Sequence, residues 1–203
     1  MMYSYYNFSL RSMKITGSVF IVLLVLIACS DDRDMDKYNS LVEKELAGNK
    51  KVDSIFFGIH FGMPRKKFFA HCWEMNKKGM FKDGLNNMYV LYKLDKELKY
   101  PASMNFYPDF SDSTISKMRV IIQYDAWAPW NKHLYADSLM PDVLSMYKKW
   151  YNNGNPFIQI KDEKKGPIYV KVDGNRRITI GKYDDMIVKV EYTDMLMEKK
   201  IKN

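Results

Sequence analysis

The stretch Thr114-Ile115-Ser116-Lys117-Met118-Arg119-Val120-Ile121-Ile122-Gln123-Tyr124 decides the fold. Met118, Val120, Ile122 and Tyr124 alternate with Arg119, Ile121 and Gln123. Successive side chains on a strand point to opposite faces, so this period of two predicts a long, half-buried strand. Before it, residues 88–94 and 100–107 read as two further strands across a charged turn, with Pro101 marking a strand start or an edge. Asp109 and Asp112 lie between the last two strands. They are candidate glycosidase carboxylates, but Asp and Ser hydrogen-bond their own backbone in loops, and the turn reading is preferred.

Four more strands are expected downstream, at 157–161, 167–172, 176–181 and 186–193. Asp173-Gly174 supplies a tight-turn signal between the middle two. A short strand at 54–60 opens the domain. Two helices separate these groups. Gly62-Met63-Pro64 opens the first, with Phe68, Cys72 and Met75 as its apolar stripe and Phe69 and Trp73 widening it. Gly79 caps it. The second spans 138–152, with Asp137 or Ser138 as N-cap and Pro141 in its first turn. Leu139, Val143, Met146, Tyr147 and Trp150 form its stripe. The fold class is therefore α+β, with both helices on one face of antiparallel sheet. Residues 198–203 are charged and expected to fray.

Upstream of the domain, a basic start and the apolar run 19–28 lead into Leu26-Ile27-Ala28-Cys29. This resembles the lipobox of bacterial lipoproteins. The resemblance implies a signal peptide over 1–28, acylation of Cys29 and an outer-membrane location, with the membrane face open. Two acyl chains hold a protein stably on a bilayer, at about 0.8 kcal/mol per buried methylene. The alternative, a transmembrane helix, needs about 20 apolar residues, and this run is half as long. Met13-Lys14 followed by the run is a complete signal by itself, so translation from Met13 is one reading and an extended n-region the other. Residues 29–52 are polar and read as a flexible tether, with a short helix possible at 38–47. Asp32, Asp34, Asp36 and Glu43 take calcium-loop positions, but Lys37 stands where the sharp turn requires glycine.

The halves carry a matching feature. Pro64 precedes Trp73, and Pro141 precedes Trp150, by the same interval. The pattern resembles the tandem helix-plus-sheet repeats of the β-lactamase inhibitor protein family and of SmpA-type envelope lipoproteins, with repeats at about 53–125 and 126–203. That resemblance is architectural and transfers no functional residue. It implies that Trp73 and Trp150 occupy equivalent places between helix and sheet.

Charge and chemistry bound the function. The net charge is +8, and +6 without the first 28 residues, whose charges are Arg11 and Lys14. An envelope protein meets acidic glycans or lipid head groups rather than nucleic acid, but the lysines are spread along the chain and the preferred reading of the charge is solubility alone. If Cys29 carries lipid, Cys72 has no disulfide partner and reads as a buried, inert thiol. The histidines are His60, His71 and His133, with no metal-ligand spacing. Cys72 and adjacent His71 diverge by about 100° on a helix and form no dyad. Neither catalytic residues, nor a metal, nor a cofactor is expected. The expected function is a lipid-anchored, non-enzymatic protein-interaction module. A glycan or small-ligand binder using Trp127, Trp130 and Tyr135 comes second, and a hydrolase third.

Overall fold

The structure, a computed structural model, describes residues 33–162 and 166–202. Cys29 and the stretch 1–28 read as a signal peptide lie outside the described residues. The chain runs α1 (33–47), α2 (Arg65–Lys77), β1 (Lys82–Asp83), β2 (Val90–Leu94), β3 (Ala102–Ser111), β4 (Thr114–Tyr124), α3 (Ala136–Trp150), β5 (Ile158–Asp162), β6 (Gly166–Asp173), β7 (Arg176–Lys182), β8 (Val188–Asp194) and α4 (Met195–Lys202). The strands form one antiparallel sheet in the order β1-β2-β3-β4-β8-β7-β6-β5.

The deciding stretch is β4 to the residue, and it lies at the centre of the sheet. Asp112 and Ser113 both adopt positive φ in the two-residue turn before it, the geometry that matches the twist of a hairpin. Asp109 instead lies in β3 and is ion-paired to Arg119. Strand β3 runs on through Pro108. It has lost β2 as a neighbour after Phe106, and an edge is where proline is tolerated.

Residues directly across an antiparallel pair share a face. Phe106, Val120, Val190, Ile180 and Tyr169 trace one face through the registers. On it lies the larger core, where Leu139, Val143, Met146 and Tyr147 of α3 and Phe68 of α2 are buried. Asn105, Ile121, Lys189, Gly181 and Ile168 trace the other face. There Val170, Val172 and Met195 pack with Tyr38, Leu41, Val42 and Leu46 of α1.

Helices thus occupy both faces of the β5–β8 half, where one face was expected. Strand β6 explains this: Val170 and Val172 are apolar on the side away from α3 and need a cover of their own. The polar stretch 33–47 supplies it. Composition assigns this stretch to a tether, yet it is a helix whose four apolar groups pack on the sheet. Glu45 fixes its end, accepting bonds from the Gly174 backbone N–H at 2.7 Å and the Asn155 amide at 2.8 Å. Asp34, Asp36 and Glu43 lie within this helix, not in a calcium loop.

Other expectations shift locally. Residues 54–60 form a tight turn closed by a Ser54–His60 bridge, with Phe57 and Gly58 at positive φ, rather than a strand. Helix α3 starts at Ala136, so Pro141 lies inside it, past the first turn. Where 198–203 was expected to fray, residues Met195–Lys202 form α4. Asp194 caps α4 by accepting from the Leu196 N–H at 3.0 Å, and Met195 is buried.

Beneath the 153–155 turn lies a buried charge network. Lys171 donates to the Asn153 carbonyl at 2.8 Å and to that of Asn155, and its ammonium lies 3.2 Å from Asp173. Arg176 pairs with the same carboxylate at 3.1 Å and donates to the Ser54 carbonyl. Gly154, at positive φ, leaves room for Asp173 where any Cβ would strike it. The network ties segment 50–54 and the 153–155 turn to the sheet.

Candidate functional site

Helix α2 buries less of itself than its sequence suggests. Phe68 is its one fully buried residue, and Trp73 is 62 % exposed. The expected equivalence with half-buried Trp150 therefore fails at this position. On a helix, Phe69, Trp73 and Asn76 recur at spacings of three and four and share one flank. That flank faces the segment 81–90 across a cleft of about 710 Å³.

Local geometry holds the cleft open. Gly79 ends α2 at positive φ and turns the chain back. The Asn76 amide then donates to the Phe81 carbonyl at 2.9 Å, fastening the returning chain to the helix. Phe81 plunges into the core against Phe57 and Phe106. Asn86 and Asn87 both take positive φ, and the Leu85 N–H donates to the Asn105 side chain at 3.1 Å. This short loop carries Met88 outward, also to 62 % exposure. Tyr107 and Arg119 line the cleft from the sheet, and Lys77 lies over the Trp73 ring at 5.6 Å.

Phe69, Trp73 and Met88 line the cleft, and the stretch of chain that carries them is rich in exposed apolar side chains. Phe69, Trp73, Met80, Leu85 and Met88 are all exposed within twenty residues of chain. Aromatic and methionine side chains together make an adaptable contact surface.

Cys72 is half-buried and lines the same cleft, where full burial was expected. Desolvation pushes its thiol up to about 12. No histidine activates it. His71 bonds the Phe57 carbonyl at 2.8 Å, His60 bonds the Phe61 carbonyl at 2.8 Å, and the His133 ring rests against Tyr100. Among the described residues no cluster of potential metal ligands occurs.

The loop at 125–135 brings two of its three candidates together. Trp127 and Tyr135 pack ring on ring at 5.8 Å, and the Tyr135 hydroxyl donates to the Pro129 carbonyl at 2.7 Å. That pair is half-buried and does not extend to Trp130, which is 81 % exposed. The three do not make one flat ring platform. The α2 cleft was missed because Phe69 and Trp73 fit a helical core stripe. The signal that could have found it is Met80 and Leu85, apolar in a stretch with no helical or strand period, followed at once by Met88.

Compared with known proteins, the chain matches no protein family, no curated protein and no solved structure.

Proposed function

We propose that this is a lipid-anchored cell-envelope protein that acts without catalysis, by seating a partner protein in the cleft between α2 and residues 81–90. One observation carries the reading: Trp73 and Met88, both 62 % exposed, line one cleft together with the exposed Phe69. Leaving such groups in water forgoes the roughly 25 cal/mol per Å² that burial returns, so their clustering favours a surface that a partner covers. Trp is also the residue type that most often anchors such contacts. A hydrolase finds no support in Cys72, whose thiol is held protonated with no base beside it. A sugar platform at 125–135 finds little, because Trp127 already packs on Tyr135.

The anchor is supported by the order of the parts around Cys29: basic start, short apolar run, small residue, cysteine. The two-repeat reading is supported by the element order, a helix followed by four strands, twice. It is supported too by the sheet order, in which β4 and β8, the last strand of each half, meet at the centre. The exposure of Trp73 counts against close equivalence of the two helices.

The experiment is a capture from detergent-solubilised envelopes in which the unaltered chain and Trp73→Ala are compared side by side. A partner held by the former and lost with the latter, at equal folding, supports the reading. Identical capture by both rejects the cleft as the contact.

A further inference from the structure

We infer that one end of the sheet is a docking surface for the lipid bilayer, with Trp130, Tyr183 and Met35 as its interfacial contacts; this rests on the reading of Cys29 as the lipid attachment site. The leash between lipid and domain is short. Only Ser30, Asp31 and Asp32 separate Cys29 from Arg33, the first described residue of α1. Fully extended, four residue steps reach about 14 Å. A tether running to Asp53 would reach about 85 Å by the same rule. Because α1 packs on the sheet, the short figure applies. The domain sits against the membrane whatever conformation the three residues take.

The direction of α1 then selects which end faces the lipid. Its first turns lie by Ile160, Ile168 and Thr179, where Met35 and Tyr38 share a groove with them. Its last turn is held at Gly174 by Glu45. The helix N-terminus therefore points to the end of the sheet where β7 stops and β6 begins. The registers place more of the chain at that end. Lys182 pairs with Val188 across the β7–β8 turn, and Ile122 near the end of β4 pairs with Val188 as well. The β7–β8 turn carries Tyr183, and the loop leaving β4 carries Trp130. These are 68 % and 81 % exposed, and Met35, in the first turn of α1, is exposed as well.

Two aromatic side chains standing in water at the end from which the lipid-bearing segment leaves are matched to the head-group region, where Trp and Tyr concentrate. Within the β7–β8 turn charge is balanced. Lys182 is paired with Asp137 and Asp185, and Asp184 lies in the same turn.

The test uses the full chain, acylated, in vesicles of phosphatidylethanolamine and phosphatidylglycerol. In a Cys72→Ala background, an environment-sensitive fluorophore is attached at Trp130→Cys, Tyr183→Cys or, as control, Asn152→Cys. Asn152 follows the far end of α3, about 22 Å along its axis from Ala136. Labels at 130 and 183 should show a blue shift and lose quenching by aqueous iodide when vesicles are present, while the label at 152 shows neither. If the chain carries acyl mass on Cys29 and floats with the vesicles, but all three labels stay open to iodide, docking is overturned and the anchor stands. Shielding at 130 and 183 that is already present without vesicles also overturns it. Absence of both acyl mass and flotation removes the anchor, and docking with it.

Discussion

The Arg177 guanidinium donates to the Tyr38 hydroxyl at 3.2 Å, joining residues 139 positions apart in the chain. Arg177 also pairs with Glu198 at 3.0 Å, so β7 binds α1 and α4 through one side chain. The helix at 33–47 is thus part of the domain. Leu41→Ala and Leu46→Ala should each cost about 1–2 kcal/mol in urea unfolding, below a full core truncation because both are half-buried. An unfolding curve unchanged by either substitution would mean that the helix contributes nothing to the fold.

Acid should loosen the same helix. Bonds from the Gly174 N–H and the Asn155 amide hold the Glu45 carboxyl below its ordinary value. A carboxyl with a lowered folded pKa contributes stability that is present above its unfolded value, near 4.3, and is lost as pH falls through the folded one. Unfolding midpoints should therefore drop below about pH 4.3 more steeply for the unaltered chain than for Glu45→Gln. Parallel curves would contradict the role given to Glu45.

The buried charges make an asymmetric prediction. Asp173→Asn leaves Lys171 and Arg176 together without their counter-charge and should cost about 3–5 kcal/mol. Lys171→Met leaves Asp173 still paired to Arg176 and should cost less. The order of the two losses, read by denaturant unfolding, is the check.

Much of the sheet was legible. Strand β4 declared itself through uninterrupted alternation, and β6–β7 through Asp173-Gly174. The fold class followed from these. What hid was set by contacts distant in sequence. Residues 33–47 look polar because only four apolar side chains, those of Tyr38, Leu41, Val42 and Leu46, pack into the core there, a density that composition reads as a linker. Segment 54–60 is apolar and strand-like, but Phe57 and Gly58 close it into a turn. Trp73 fits a helical stripe, and nothing local shows that its side of α2 borders an open cleft instead of packed core. The cleft is a product of tertiary placement; its residues were visible, their shared surface was not.

Cys72 gives a chemical reading of that surface. With its thiol raised to about 12, it should alkylate at pH 8 roughly a thousandfold more slowly than an unperturbed cysteine, because the thiolate reacts. Labelling should accelerate with rising pH well past the usual range. Rapid modification at neutral pH would show that burial does not control this thiol.

The most direct measurement places a photo-reactive amino acid at Trp73 in the full chain, in intact cells, with Asn152 as a comparison site. Removing the exposed Trp73 ring should change stability by no more than about 0.5 kcal/mol, so the probe reports on contact rather than folding. A discrete protein adduct at 73, absent at 152 and weakened by Met88→Ala, is the predicted result. An adduct with glycan, or no adduct at 73 in a folded, membrane-bound protein, would contradict the account.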